Sequence, residues 1–108
     1  MTPTLDVVLV AIADPTRRAI LDRLTRGPAR VTDIAEPINM SLAGVSKHLR
    51  MLERAGLVRR ARRGREHTLT LDARPLRRVV RWTSGYERFW TERLDRLEAF
   101  FDQKGRNI

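Results

Sequence analysis

Apolar residues recur at helical spacing near the start of the chain. They predict a first helix from Leu5 to Ala13, which ends before an Asp-Pro pair. Asp14 followed by Pro15 is typical of a helix start, with the aspartate as cap and the proline in first position. A second helix is therefore expected from Pro15 to about Thr25. On this second helix we expect Arg17 and Arg18 to face solvent. Its inward-facing residues are expected to be Ala19, Ile20, Leu21 and Leu24.

Two further helices are predicted in the middle of the chain. A short third helix runs from Asp33 to about Pro37, with Thr32 as its cap, and a tight turn follows it. Ser41 then caps a fourth helix from Leu42 to Ala55. The core stripe of this fourth helix is expected to be Leu42, Val45, Leu49 and Leu52. Its opposite face carries small and basic residues, which are Ala43, Ser46, Lys47, Arg50 and Arg54.

Two short strands and a long helix complete the predicted fold. Gly56 ends the fourth helix, and strands from Leu57 to Arg62 and from Glu66 to Leu71 form a β-hairpin with a basic tip. Asp72 caps a last helix that reaches about Asp102 and is roughly 45 Å long at 1.5 Å per residue. The fold class is therefore mainly α with a small β-hairpin. Helix-turn-helix followed by a basic hairpin is a winged helix-turn-helix, and residues 1–108 make one such domain.

Basic charge is concentrated in the middle of the chain. The 22 Lys and Arg residues exceed the 13 Asp and Glu residues, which gives a formal charge of +9. Residues 1–40 are neutral, residues 41–67 carry eight basic and two acidic side chains for a net charge of +6, and residues 68–108 carry +3. Because the excess falls on the fourth helix and the hairpin, it predicts double-stranded DNA as a partner.

The free face of the fourth helix has the composition of a recognition helix. Small residues permit close approach to base edges, and basic side chains reach bases or phosphates. The alternative is an ordinary solvated face. The residues expected to contact DNA are Ser41, Ala43, Gly44, Ser46, Lys47, His48 and Arg50.

The hairpin is expected to act as a wing that grips phosphate or enters a minor groove. Arginine suits this role because its planar fork binds phosphate oxygens in pairs. The alternative is compositional, since the chain has 20 Arg and only two Lys. The residues expected to contact DNA from the wing are Arg62, Arg63 and Arg65.

All six aromatic residues lie in the last helix, on an apolar arc too wide for one small domain to bury. We therefore expect a homodimer in which segments 1–13 and 73–102 form the dimerisation helices. The alternative is that the whole arc packs within one chain. The expected interface residues are Leu5, Leu9, Trp82, Tyr86, Phe89 and Trp90.

Several classes of protein are not indicated by the sequence. The chain has no cysteine, and its two histidines, His48 and His67, do not fall at metal-ligand spacing, so neither a metal site nor another cofactor is predicted. No nucleophile and base are arranged for catalysis, so an enzyme is not expected. No apolar run approaches the roughly 20 residues of a membrane span. The first ten residues lack the basic segment of a signal peptide, which predicts a cytoplasmic protein.

Four segments of the chain closely resemble the ArsR/SmtB family of bacterial repressors. The resemblance implies a dimeric winged helix-turn-helix with the first and last helices at the dimer interface. Metal-sensing members carry cysteines in the third helix or histidine and acidic residues in the last. Here the third helix has no cysteine and the last has no histidine, so the metal site is not implied. The matching segments are Ala11–Leu24, Asp33–Pro37, Met40–Val58 and Arg63–Arg65.

The resemblance is nearer to the cysteine-free branch of that family, which carries Asp-Pro-Thr-Arg and Ser-Lys-His-Leu motifs. Members of this branch repress operons, often including their own gene. The sequence thus predicts a sequence-specific repressor that binds a near-palindromic operator as a homodimer. It does not identify an effector. One alternative is an architectural protein that binds DNA without sequence preference. The other is a small nucleic-acid hydrolase, although the sequence shows no paired carboxylates or metal ligands near the basic residues.

Overall fold

Five helices and three short strands make up residues 3–106, the part of the chain that the computed structural model describes. The predicted order of helices and hairpin is confirmed, and a two-residue strand is added to it. The elements are α1 (Leu5–Ile12), α2 (Pro15–Leu24), β1 (Ala29–Arg30), α3 (Val31–Ile38), α4 (Leu42–Arg54), β2 (Val58–Arg63), β3 (Glu66–Leu71) and α5 (Leu76–Arg106).

Side-chain caps start α2 and α4 where the sequence predicts. The carboxylate of Asp14 accepts a hydrogen bond from the backbone N–H of Arg17 at 3.0 Å, with Pro15 in the first turn. This bond is the main reason that the pKa of Asp14 lies below its ordinary value. The hydroxyl of Ser41 accepts from the backbone N–H of Gly44 at 3.1 Å. Both caps satisfy donors that a helix start leaves free.

Helix α3 starts two residues earlier than predicted, and Thr32 does not cap it. Arg30 occupies the cap position, and its backbone N–H donates to the carboxylate of Asp33 at 3.4 Å. Asp33 therefore lies inside the first turn, where its charge also favours the helix start. Asn39, at a left-handed φ of 57°, then ends the helix and makes the expected tight turn.

Helix α5 also differs from its prediction at both ends. It begins at Leu76 and reaches Arg106, so Asp72 is not its cap. The carboxylate of Asp72 instead accepts from the backbone N–H and the guanidinium of Arg74, which fixes the connection between β3 and α5. The prediction failed because the carboxylate of Asp72 can either cap a helix or accept hydrogen bonds within a turn, and here it does the second.

The strands form one antiparallel sheet in the order β1-β3-β2. Strand β1 is too short to show any periodicity, which is why the sequence did not predict it. In the hairpin, Arg63 pairs with Glu66, so Gly64 and Arg65 form a two-residue turn one residue shorter than expected. Gly64 has a φ of +60°, which fits a tight hairpin turn with glycine first.

The core lies between the four short helices and the sheet. Val45, Leu49 and Leu52 of α4 are fully buried, as predicted. Leu42 and Ala19 were expected inward but are exposed, since each lies at the edge of its helix's packed face. Arg17, expected outside, is only 8% exposed. The buried apolar residues are Val8, Ala11, Ile20, Leu21, Leu24, Ala29, Ile34, Ala35, Val45, Leu49, Leu52, Ala55, Leu57, Val58 and Leu69.

Helix α5 contributes to this core only near its start, through Leu76 and Val79. The rest of the helix projects from the domain, so the molecule measures 70 × 32 × 21 Å. Within residues 3–106, none of the helices is apolar over a length that would cross a bilayer.

Candidate nucleic-acid interface

Helix α4 presents a polar face outward because its opposite face is anchored in the core. The side chains of Lys47 and Arg50 are exposed on this outer face, and Ser46 is half-buried beside them. Of the other predicted recognition residues, Ser41 and Ala43 are exposed and Gly44 is half-buried. We call these six residues, Ser41, Ala43, Gly44, Ser46, Lys47 and Arg50, the recognition face.

Gly44 is closely fitted into this face. A Cβ atom at this position would lie 3.3 Å from Oγ of Ser41 and 3.5 Å from the terminal methyl of Met40. The same Ser41 hydroxyl caps the helix, so a larger residue at position 44 would press on the cap. Glycine at this position therefore leaves the Ser41 cap at the start of α4 undisturbed.

His48 lies differently from the expectation. Its side chain is about one-fifth exposed, and Nδ1 lies 3.2 Å from Nη1 of Arg17, on the side of α4 that meets α2. The carboxylate of Asp14 is 3.9 Å from the same nitrogen, too far for a hydrogen bond. The ring is therefore engaged within the protein, and we do not include His48 in the recognition face.

Arg17, which the sequence pattern placed in solvent, is buried and contacts His48 of α4. Its Nε donates to the carbonyl of Ala11 at 2.6 Å and its Nη2 to the carbonyl of Val10 at 2.9 Å. Both carbonyls lie in the last turn of α1, where a helix offers few backbone donors, and that of Val10 also accepts from the backbone N–H of Ala13 at 3.3 Å. A signal was present, because Arg17 lies on the same helical stripe as the inward-facing Ile20 and Leu24.

The tip of the hairpin carries cations that are not neutralised within the described residues. Arg62, Arg63 and Arg65 are exposed, and none of them forms an ion pair in residues 3–106. Nε of Arg62 donates to the carbonyl of Gly64 at 3.0 Å. The wing tip therefore presents positive charge to a partner.

Arg60 links the base of the hairpin to α4. Its guanidinium holds both carboxylate oxygens of Glu53 in α4, at 2.8 and 3.3 Å. Nη1 of Arg60 also lies 3.1 Å from Nδ1 of His67 on β3. Such a two-point bond fixes direction as well as distance, and it links the base of the wing to α4.

A groove of about 380 Å³ separates the start of α4 from the wing. Leu42, whose side chain the sequence pattern assigned to the core, is 53% exposed and lines this groove. Arg65 and His67 line it from the wing, and Arg30 from β1. The exposed Leu42 gives this groove an apolar wall that the sequence did not indicate.

A broad apolar surface runs along the projecting part of α5. Trp82, Tyr86, Phe89 and Trp90, the predicted interface residues, are about half exposed, and Trp82 stacks edge-on against Tyr86 at 5.8 Å. Leu94, Leu97, Phe100 and Phe101 extend the same surface. On α1, the predicted Leu5 and Leu9 are half-buried, while the exposed apolar residues are Val7 and Val10.

The described residues contain no cluster of three or more His, Cys, Asp or Glu side chains that could hold a metal ion.

A helix-turn-helix packed on the core on one side and followed by a two-stranded basic wing defines the class of winged helix-turn-helix DNA-binding domains. A family model described as a helix-turn-helix domain matches residues 12–61. HTH-type transcriptional regulator Rv2034 of Mycobacterium tuberculosis is 36% identical over 95 residues, 88% of this chain and 86% of that protein. Transcriptional repressor SdpR of Bacillus subtilis is 39% identical over 75 residues, 69% of this chain and 83% of that protein.

Solved structures place the chain more narrowly. The crystal structure of the ArsR family transcriptional regulator RHA00566 superposes with a TM-score of 0.75 at 39% identity, covering 81% of this chain and 90% of that one. The homodimeric winged helix-turn-helix domain of Mb0332 from Mycobacterium bovis, described as a possible ArsR-family regulator, gives a TM-score of 0.63 at 28% identity, covering 76% and 79%. The chain therefore belongs to the ArsR family of DNA-binding transcriptional regulators.

Proposed function

We propose that the protein is a repressor that binds a near-palindromic operator as a homodimer. In this proposal each α4 enters a major groove and each wing contacts the flanking backbone. The observation that carries the proposal is the recognition face itself, with Lys47 and Arg50 exposed on a helix whose other side is anchored in the core by Val45, Leu49 and Leu52. The repressor assignment is supported by the relative from B. subtilis, which is a transcriptional repressor.

The recognition face supplies both kinds of DNA contact. Arg50 and Lys47 are long enough to reach guanine edges or phosphates, and Ser46 is small enough to let the helix approach. The proposed contacts from the wing come from Arg62, Arg63 and Arg65, whose charges are not neutralised within the described residues. Because Arg60 ties the wing to α4, the two sets of contacts have a fixed spacing.

The homodimer is proposed from the uncovered apolar surface of α5. Trp90 is 59% exposed and Phe101 is 62% exposed, a surface that monomeric proteins rarely leave open. The neighbour from M. bovis is a homodimer, which supports the same arrangement here. The proposed dimerisation segments are 1–13 and 73–102, of which residues 1 and 2 lie outside the described residues. Two-fold symmetry in the protein would be matched by two-fold symmetry in the operator.

The experiment that tests this proposal is selection of bound sequences from a pool of random DNA. We expect recovered sequences to share an inverted repeat with half-sites about one helical turn, or a multiple of it, apart. The selected site should bind about 10³-fold more tightly than competitor DNA. Placed over a promoter, it should reduce transcription when the protein is added. Equal affinity for the selected site and the competitor would instead indicate an architectural protein without sequence preference.

A further inference from the structure

A basic cleft of about 550 Å³ lies at the C-terminal end of α4, away from the recognition face. Its walls come from Pro3, the end of α4 and the turn after it, the first residues of β2, the connection between β3 and α5, and the first turns of α5. A cleft of this volume is within the range of small-molecule sites. It is not part of the DNA interface proposed above.

The floor of the cleft is a close contact between three segments. Gly56 has a φ of +72°, and a Cβ atom there would lie 3.1 Å from Cγ of Pro3 and 3.4 Å from Cγ of Pro75. Only glycine adopts this conformation readily and leaves room for both prolines. The floor, with Val58 beside it, is therefore apolar and closely packed.

The acidic groups that line the cleft are already neutralised. Asp72 pairs with Arg74 at 2.7 Å and with Arg59 at 3.0 Å, and its side chain is only 12% exposed. The hydrogen bond from Arg74 holds the pKa of Asp72 well below its ordinary value. Glu53 is held by Arg60. Neither carboxylate is therefore available to neutralise the remaining cations.

Those remaining cations come from the start of α5. Arg77, Arg78 and Arg81 line the cleft and form no ion pair within residues 3–106. Arg77 and Arg81 are four residues apart and therefore lie on one face of the helix. Helical periodicity places that face opposite the apolar surface around Trp90, so the proposed dimer contact would leave both arginines accessible.

We propose that this cleft binds a small anion carrying several phosphate or carboxylate groups. An arginine guanidinium binds a phosphate or a carboxylate through a pair of charge-assisted hydrogen bonds. The apolar floor would contact the hydrocarbon part of such a ligand. The strand geometry separates this site from the wing, because four residues of β2 place Arg59 roughly 13 Å from Arg63. A small ligand fits this concave site better than the convex backbone of duplex DNA.

The test measures binding of pyrophosphate and of citrate to the full chain by titration calorimetry, without DNA. We expect saturable binding of at least one probe, which also identifies the preferred chemistry. The Arg77→Ala, Arg81→Ala double variant should bind about tenfold more weakly or worse, since removing each fork removes charge-assisted bonds. The matched control is Arg88→Ala, Arg96→Ala, which removes the same charge from α5 outside the cleft and should change affinity less than about twofold. An Arg77→Gln, Arg81→Gln variant serves as a second form of the test if the alanine form does not fold.

Three results would overturn the proposal. One is the absence of saturable binding of either probe to the unaltered protein. Another is an equal loss of affinity in the test and control variants, which would mean that the anions respond only to overall charge. The third is weaker DNA binding by the Arg77, Arg81 variant when neither probe binds, which would make the cleft a DNA contact. Because the calorimetry contains no DNA, its outcome is separate from that of the proposed operator.

Discussion

Arg17 of α2 and His48 of α4 meet inside the protein, with 3.2 Å between Nη1 of the arginine and Nδ1 of the histidine. A guanidinium has only donors, so in a hydrogen bond between these two atoms Nδ1 would be the acceptor. The same guanidinium binds the carbonyls of Val10 and Ala11 at the end of α1. One buried cation thus joins α1, which we propose for dimerisation, to α4, which we propose for DNA recognition.

Replacement of Arg17 by alanine should destabilise the fold. It would leave the carbonyl of Ala11 without its buried partner, and we expect the free energy of unfolding to fall by about 2–4 kcal/mol. Arg18 is the matched control, because its Nη1 binds the neighbouring carbonyls of Ile12 and Ala13 but is exposed. Arg18→Ala should cost less than about 1 kcal/mol. Urea unfolding at one fixed protein concentration measures both, and equal losses of stability would contradict the role given to Arg17.

Replacement of wing arginines should weaken DNA binding without changing base preference. For each phosphate that Arg62, Arg63 or Arg65 no longer neutralises, the plot of log affinity against log salt should become shallower by about one. Arg88→Ala, in the distal part of α5, should leave the slope unchanged. A folded triple wing variant with the slope of the unaltered protein would show that the wing tip does not contact phosphate.

Replacement of aromatic residues on α5 should dissociate the proposed dimer. Each buried large side chain contributes roughly 1.5–3 kcal/mol, so Trp82→Gln together with Phe89→Gln should favour the monomer strongly. Met40→Gln is the control, since it changes an exposed apolar residue away from α5. Sedimentation measures the mass of each form. If the unaltered protein is a monomer, or if the double variant stays fully dimeric at low micromolar concentration, these residues do not form the interface.

The carboxylate of Asp72 should make stability depend on acid pH. Arg74 lowers its pKa in the folded protein below the ordinary value of 3.8, so the folded state stays deprotonated where the unfolded state takes up a proton. Its contribution is therefore present above about pH 4 and is lost as pH falls further. Asp72→Asn should lower the free energy of unfolding by about 1 kcal/mol near neutral pH, with the difference shrinking below pH 4. A difference that stays constant with pH would show that the charge of Asp72 is not responsible.

Local patterns predicted those parts of the fold that depend on local chemistry. The stripe of Val45, Leu49 and Leu52 and the caps at Asp14 and Ser41 are examples, because helical spacing and cap chemistry depend on near neighbours.

The same patterns failed where contacts distant in sequence decide. Arg17 lies on an apolar stripe, but its burial depends on the carbonyls that it binds at the end of α1, which no pattern within α2 reveals. Leu42 continues the stripe of α4 past the edge of the core and is exposed. Strand β1 exists only because Ala29 and Arg30 pair with β3. In the candidate site, helical spacing predicted that Lys47 and Arg50 are exposed, but the contact between His48 and Arg17 depends on how α2 packs on α4.

The most direct test of the account compares operator binding by the unaltered protein with binding by a recognition-face variant, Ser46→Ala, Lys47→Ala, Arg50→Ala. Removing a side chain that binds a base should cost about 1–3 kcal/mol and relax preference at one operator position. Arg54→Ala is the control, because it removes an exposed charge from the other end of the same helix. We expect the triple variant, shown to be folded by circular dichroism, to lose preference for the selected operator over competitor DNA while the control keeps it. A folded triple variant that binds the selected operator with unchanged affinity and preference would contradict the recognition face.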